Sequence, residues 1–119
     1  MITEKCTLPI GVEYNGKLHR DCELRPSLVR DSIEAVEDAR AQTNESYLGL
    51  VILSKQLIRL GDIPSDELTP ELFMGMYEPD LVTIRNASER LKKRLQSFRG
   101  GDDGSPEGDT GDGEVGISA

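Results

Sequence analysis

Aromatic residues are scarce in this chain of 119 residues, which contains no tryptophan, two phenylalanines and three tyrosines. A hydrophobic core in such a chain must be built mostly from leucine, isoleucine and valine. The chain also lacks any run of about 20 apolar residues, the length that a membrane-spanning helix needs. We therefore expect one modest core and no contact with a membrane.

The chain also has no excess of positive charge, since its formal net charge is −8. Residues 1–98 carry sixteen acidic against thirteen basic side chains, and residues 99–119 carry six acidic side chains against Arg99 alone. A nucleic-acid-binding protein needs a basic surface, so we expect no nucleic-acid partner. An acidic mimic of nucleic acid is also disfavoured, because residues 1–98 have a net charge of only −3.

Residues that commonly carry catalysis or hold metals are few. His19 is the single histidine, and Cys6 and Cys22 are the two cysteines. No second histidine or cysteine cluster offers His19 a partner at ligand spacing, so we interpret it as an exposed strand residue. The first residues, MITEKCTL, lack the apolar segment of a secretory signal, which favours an intracellular protein with both thiols reduced. We predict no enzyme, no catalytic residue, no cofactor and no metal site.

Residues 5–24 predict a β-hairpin. Apolar side chains alternate along both halves of this segment, and Asn15-Gly16 marks a turn between them. Pro9 cannot donate a hydrogen bond to a neighbouring strand, which suggests that the first half is an edge strand.

The hairpin register can be argued from its apolar face. A three-residue loop of residues 14–16 would pair Val12 with Leu18 and keep both apolar sets on one face, so we prefer it to a two-residue loop. In this register Cys6 and Cys22 are offset along the strands, which argues against a disulfide.

Four helices are predicted after the hairpin, at about residues 28–41, 46–60, 70–76 and 79–98. The first has Val29, Ile33 and Val36 as its apolar stripe, with Asp31 facing solvent. The second covers the densest aliphatic stretch of the chain and is expected at the centre of the domain. The residues predicted to form the core scaffold are Leu48, Val51, Ile52, Leu53, Leu57, Leu60, Ile84, Leu91 and Leu95.

These segments predict one α+β domain over residues 1–98, with an N-terminal β-hairpin followed by three to four helices. Residues 99–119 are rich in glycine and aspartate and nearly free of apolar side chains. Such a segment cannot bury enough surface to offset its ordering entropy, so we expect a disordered acidic tail.

The candidate binding residues are Phe73, Met74, Met76 and Tyr77, which surround the short third helix. Soft, methionine-rich surfaces suit adaptable binding to a partner, although methionine more often fills gaps in a core. A second cluster, Arg90, Lys92, Lys93 and Arg94, is interpreted as a solvated helix face.

The segment LPIGVEYNGKLHRDCELRP, followed by a helical body, resembles the tail assembly chaperones of Mu-like and related contractile-tailed bacteriophages. The resemblance covers roughly residues 6–98, although Pro26-Ser27-Leu28 stands where a Thr-Gly turn and an acidic pair are common in the family. The matching residues are Leu8, Pro9, Gly11, Gly16, His19, Arg20, Leu24, Arg25, Leu60, Gly61, Leu72, Asp80 and Leu81.

The resemblance implies a protein that binds the long, helical tape measure protein in the host cytoplasm and keeps it soluble until the tail tube assembles. Several copies on one client are implied, so self-association is expected. The alternative is a structural or adaptor protein of a phage particle, which acts by contacts with other tail proteins. Either function proceeds without catalysis.

Overall fold

Within residues 1–103 the chain forms an α+β domain in which an antiparallel three-stranded sheet, in the order β1-β2-β3, is combined with five helices. The computed structural model describes residues 1–103, with side chains through residue 97. The strands are β1 (Glu4–Tyr14), β2 (Lys17–Leu24) and β3 (Leu57–Leu60). The helices are α1 (Val29–Ala35), α2 (Ala39–Gln42), α3 (Glu45–Gln56), α4 (Pro70–Met74) and α5 (Glu78–Asp103), and a 3-10 turn covers Ser65–Glu67.

The hairpin lies where the sequence predicts it, but its turn is different. Tyr14 pairs with Lys17, so the loop consists of Asn15 and Gly16 only. Their φ angles are 53° and 75°, as a type I′ turn requires. The predicted three-residue loop is wrong because Asn and Gly both tolerate the left-handed backbone that lets two residues close the hairpin.

A bulge in β1 restores the shared apolar face that a two-residue turn alone would split. Thr7 pairs with Asp21 and Val12 pairs with His19, so residues 8–11 of β1 lie opposite Arg20 alone. Because the shift in register is odd, even-numbered residues of β1 pair with even-numbered residues of β2 before the bulge, as in Cys6 with Cys22, and with odd-numbered ones after it, as in Val12 with His19.

The bulge also changes how the two cysteines are placed. Between the start of β1 and the bulge, Cys6 lies directly opposite Cys22. The predicted offset of these two residues is therefore wrong, because the register of that part of the hairpin is set by the bulge and not by the turn.

His19 is buried at 6% exposure, so its interpretation as an exposed strand residue is wrong. The Asp62 N–H donates to its Nδ1 at 3.2 Å, and its Nε2 lies 3.3 Å from the carbonyl oxygen of Tyr14. Gly61 has a φ of +54°, and a Cβ at this position would collide with the imidazole ring. His19 therefore closes the turn that follows β3.

Helix α3 ends at Gln56, so the predicted helix over 46–60 is wrong in its last turn. Residues Leu57–Leu60 form β3, in which Leu57 pairs with Leu24 and Leu60 with Cys22. Both leucines are buried, at 5% and 0% exposure. A short aliphatic run suits either a helix or a strand, and the free edge of β2 decides in favour of the strand because its backbone groups need partners.

The helix predicted over 28–41 is divided into α1 and α2. Its middle breaks because the Asp38 carboxylate accepts the backbone N–H of Arg40 at 2.9 Å and caps a new helix start. Helix α4 stops at Met74, two residues before its predicted end, where Gly75 donates to the Leu72 carbonyl.

Helix α1 turns toward the core the face opposite to the one predicted to be buried. Asp31 is 1% exposed, and Arg25 donates to its two oxygens at 2.8 and 2.9 Å. The backbone N–H of Leu28 donates to the same carboxylate at 2.8 Å. This ion pair turns Asp31 and Ala35 inward, so the predicted position of Asp31 in solvent is wrong.

The α1 stripe (Val29, Ile33 and Val36) consequently faces solvent. Its side chains are 81%, 62% and 43% exposed, in that order. The expectation that this stripe packs on the central helix is therefore wrong, because the pairing of Arg25 with Asp31 sets the rotation of the helix.

The core lies between the sheet and helices α3 and α5, with Leu8, Leu24 and Ile84 fully buried. Of the residues predicted to form the scaffold, the buried ones are Val51, Leu53, Leu57, Leu60, Ile84 and Leu91. Leu48 and Ile52 are half-buried and pack against this cluster.

Leu95 differs from the rest of the predicted scaffold, since it is 36% exposed. It borders an open pocket with Pro26, Gln56 and Leu91, which leaves its side chain partly exposed. Helix α5 continues to Asp103, past the predicted end at residue 98, and the part of the predicted acidic tail from residue 104 onward lies outside the described residues.

Replacing Asp31 by Asn should lower the free energy of unfolding by about 2–4 kcal/mol at pH 7, because it leaves the Arg25 guanidinium with a neutral partner in a mostly buried site. Urea unfolding measures this difference. The control is Glu37→Gln, which removes one exposed carboxylate that has no ion-pair partner among the described residues.

The same pair predicts a pH dependence. The hydrogen bond from Arg25 holds the pKa of Asp31 below its ordinary value. A carboxyl whose pKa is lower in the folded state stabilises the fold above its unfolded pKa of about 4, and this contribution is lost as pH falls. The difference between wild type and Asp31→Asn should therefore shrink below about pH 4. An undiminished difference at pH 3 would contradict this account.

Candidate partner-binding groove

The four predicted binding residues divide between the core and the surface. Phe73 is 2% exposed and belongs to the core, since it is the buried position of the short helix α4. Met74 and Tyr77 are 61% and 62% exposed, and Met76 is half-buried. The surface part of the predicted patch is therefore Met74, Met76 and Tyr77.

Strand β1 and helix α4 border an open groove of about 670 Å³, which we call the β1–α4 groove. Tyr77 and Met76 form part of its lining, whereas Met74 does not belong to it. Its apolar lining consists of Ile10, Val12, Leu18, Leu72, Met76 and Tyr77.

Local sequence explains how α4 forms one wall of the groove. The Thr69 hydroxyl accepts the backbone N–H of Leu72 at 3.3 Å, and Pro70 occupies the first helical position. The helix ends at Gly75, after which Tyr77 leads into α5. The short helix therefore begins and ends where its own sequence dictates.

The opposite wall is the β1 bulge, which is held by Asp80. The Asp80 carboxylate is 0% exposed and accepts the backbone N–H groups of Ile10 and Gly11, each at 2.9 Å. Bulged residues lose their partners in the strand ladder, and buried N–H groups need an acceptor. A carboxylate provides two strong acceptor oxygens, so Asp80 at the start of α5 joins the helix to the bulge.

Two other contacts fix the bulge. Arg20 Nε donates to the Leu8 carbonyl oxygen at 2.8 Å, which satisfies a carbonyl on the bulged strand. Gly11 has a φ of +105°, and a Cβ there would approach Arg20 Cγ to 2.8 Å and Leu18 Cγ to 3.0 Å. Glycine is therefore required at this position for both its backbone conformation and its small volume.

Ile10 and Leu18 are surface residues of the site that were not predicted from the sequence. They are 40% and 57% exposed beside the groove. The signal that could have found them is the pair Pro9 and Gly11, since two residues that weaken a strand so close together indicate a bulge.

Two carboxylates, Glu13 and Glu71, lie on the rim of the groove. Arg40 Nη2 donates to Glu71 at 2.7 Å, and this hydrogen bond lowers the pKa of the Glu71 carboxyl. Glu13 has no ion-pair partner within the described part of the chain. The rim therefore carries one unpaired carboxylate, Glu13, and one that is paired with Arg40, Glu71, beside an apolar floor.

The basic cluster near the end of α5 has a structural role in part. Arg90 and Arg94 donate to the Glu4 carboxylate at 2.9 and 2.6 Å and so fasten α5 to the start of β1. Lys92 and Lys93 are exposed and agree with a solvated helix face.

None of the helices within residues 1–103 combines the length and apolarity needed to cross a membrane. No group of three or more histidine, cysteine, aspartate or glutamate side chains there has the geometry to hold a metal ion.

Comparisons of the chain with protein-family models, with curated proteins and with solved structures give no match.

Replacing Asp80 by Asn should destabilise the protein by about 1–3 kcal/mol, because an amide offers one acceptor oxygen where two buried N–H groups need acceptors. Urea unfolding at pH 7 measures the change. The matched control is Glu78→Gln, which removes an exposed carboxylate from the same helical turn and leaves the bulge untouched. Equal losses for the two variants would show that only the helix dipole is involved.

Proposed function

We propose that this protein is a tail assembly chaperone of a contractile-tailed bacteriophage, which binds the tape measure protein in the β1–α4 groove. It acts in the host cytoplasm by binding alone, without catalysis or a cofactor. The observation that carries this proposal is that several residues of the resemblance form or hold the bulge that borders the groove. Leu8, Pro9 and Gly11 belong to the bulge, and Asp80 holds it in place.

The apolar floor of the groove supports the binding of a helical client. Leu18, Tyr77 and the bulged residue Ile10 all line the groove and are 57%, 62% and 40% exposed. Exposed apolar residues gathered around a concave surface are typical of sites that bind another protein. An amphipathic client helix would place its apolar stripe on this floor.

The charge of the rim indicates which kind of client helix would bind best. Glu13 has no ion-pair partner within the described residues and favours a helix with lysine or arginine next to its apolar stripe, whereas Glu71 is already paired with Arg40 and would have to share its charge. Because both carboxylates are exposed to solvent, their contribution should weaken as salt is added.

The α1 stripe is a second exposed apolar surface, with Ile33 at 62% exposure. We assign the client to the groove because the groove is concave and has a charged rim, whereas the α1 stripe lies on one short helix. A chaperone that coats a long client needs contact between copies of the chain. We assign this contact to the α1 stripe.

The alternative proposal is a structural or adaptor protein that stays in the phage particle. Two separate apolar surfaces, the β1–α4 groove and the α1 stripe, also suit a subunit that contacts neighbours on two sides. Mass spectrometry of purified particles separates the two proposals, since a chaperone should be absent from them and an adaptor should be present in stoichiometric amounts.

Substitution in the groove should abolish the soluble complex with the tape measure protein. We expect Leu18→Ser to lower the affinity for the client at least about tenfold, because it removes an apolar side chain from the contact. The measurement is co-expression of each variant with the tape measure protein, followed by quantification of soluble client and by size-exclusion chromatography of the complex.

Ile33→Ser is the matched control, since Ile33 in the α1 stripe is 62% exposed and Leu18 is 57% exposed. This variant should leave client binding unchanged while it weakens any self-association. Thermal unfolding of both variants verifies that they are folded. A wild-type protein that leaves the client insoluble overturns the chaperone proposal, and loss of the client with Ile33→Ser alone moves the site to the α1 stripe.

A further inference from the structure

Cys6 and Cys22 are brought together by the register of the hairpin. They are direct partners across β1 and β2, and their Sγ atoms lie 2.6 Å apart, although both are free thiols. Residues directly opposite each other on antiparallel strands have Cα atoms about 4.5–5.5 Å apart, which lies within the range that a disulfide spans. The backbone therefore needs no rearrangement for the two sulfurs to bond.

The two thiols differ in access. Cys6 is half-buried, whereas Cys22 is 0% exposed. A small-molecule oxidant arriving from solvent therefore meets Cys6 first, and Cys22 lies behind it, within bonding distance.

The two thiols also differ in acidity. The hydrogen bond from Cys22 lowers the pKa of the Cys6 thiol, and Arg90 adds a favourable positive charge. The same hydrogen bond, together with burial, raises the pKa of the Cys22 thiol. Cys6 is thus suited to attack, because the thiolate is the nucleophile in thiol–disulfide exchange.

We propose that Cys6 and Cys22 are a reversible redox pair, which forms a disulfide between β1 and β2 when the protein meets a small-molecule disulfide such as oxidised glutathione. The geometry of the cross-strand pair and the unequal access of the two sulfurs carry this inference. It is independent of the client that the β1–α4 groove binds.

The reaction proceeds in two exchanges. The Cys6 thiolate attacks one sulfur of oxidised glutathione, which breaks the glutathione disulfide, forms a mixed disulfide on Cys6 and releases one glutathione thiolate. The Cys22 sulfur then attacks the Cys6 sulfur, loses its proton, and displaces the second glutathione as a thiolate. Two protein thiols are oxidised, one glutathione disulfide is reduced to two thiols, and these take up the two protons.

The bond would link the strand that carries the bulge to the central strand of the sheet. It closes a loop from Cys6 to Cys22, which contains the bulge and the hairpin turn. Cross-linking a loop of this size restricts the unfolded chain, so the oxidised protein should unfold roughly 10 °C higher than the reduced protein. By linkage, the native fold should favour the disulfide.

The test uses the full chain equilibrated in buffers of reduced and oxidised glutathione, with intact-mass analysis after the remaining thiols are alkylated. We expect the wild-type protein to lose two hydrogens and both alkylation sites, and to regain them with dithiothreitol. Native protein should become oxidised at a glutathione ratio at least about tenfold more reducing than protein in urea, since the fold holds the sulfurs together.

Two serine variants distinguish the sulfur that attacks glutathione from the sulfur that displaces it. Cys22→Ser should retain one glutathione on Cys6, because the displacing thiol is gone. Cys6→Ser should remain unmodified until urea exposes Cys22. The proposal is overturned if wild-type Cys6 retains glutathione, if oxidation links two chains instead of two strands, or if native and unfolded protein become oxidised at the same glutathione ratio.

Discussion

The Asp80 carboxylate, which accepts the backbone N–H groups of Ile10 and Gly11, is the contact on which the arrangement of the hairpin depends. Without an acceptor at this place, the bulge in β1 would leave two buried N–H groups without partners. With it, the strand can shift its register by an odd number of residues. That shift places Cys6 opposite Cys22 on one side of the bulge and Val12 opposite His19 on the other, and both Cys22 and His19 are buried.

The same contact links the beginning of the chain to its last helix. Asp80 lies in the first turn of α5, and Arg90 and Arg94 bind Glu4 farther along the same helix. Helix α5 is thereby attached to β1 at two places. The β1–α4 groove lies at the Asp80 end, so its shape depends on a buried carboxylate in addition to the apolar side chains that line it.

Much of the fold follows from the sequence by simple rules. The hairpin over residues 5–24, the turn at Asn15-Gly16 and the helix starts at Thr69 and at the Glu78-Pro79 break are signalled by local residue types. These signals depend on backbone preferences that act within a few residues. The α+β class follows from their order along the chain.

The features that could not be predicted from the sequence depend on contacts between residues far apart along the chain. The strand Leu57–Leu60 forms because β2 has a free edge, and the rotation of α1 is set by the burial of Asp31 against Arg25. Neither fact is visible in the periodicity of the segment concerned.

The candidate site was anticipated only in part for the same reason. Met76 and Tyr77 lie in the groove, while Phe73 turns into the core. Ile10 reaches the groove only because of a bulge whose acceptor, Asp80, lies seventy residues away along the chain. A contact of that separation leaves no pattern in either segment, apart from the Pro9 and Gly11 that weaken the strand.

Native-state amide hydrogen exchange of the wild-type chain tests the central claim most directly. We expect the amide protons of Ile10 and Gly11 to exchange as slowly as those in the paired part of β1, although neither residue is paired with β2, because Asp80 binds both. Protection within about tenfold of the Cys6 amide would agree with this prediction. Rapid exchange at Ile10 and Gly11, at the rate of the exposed turn residue Gly16, would contradict it.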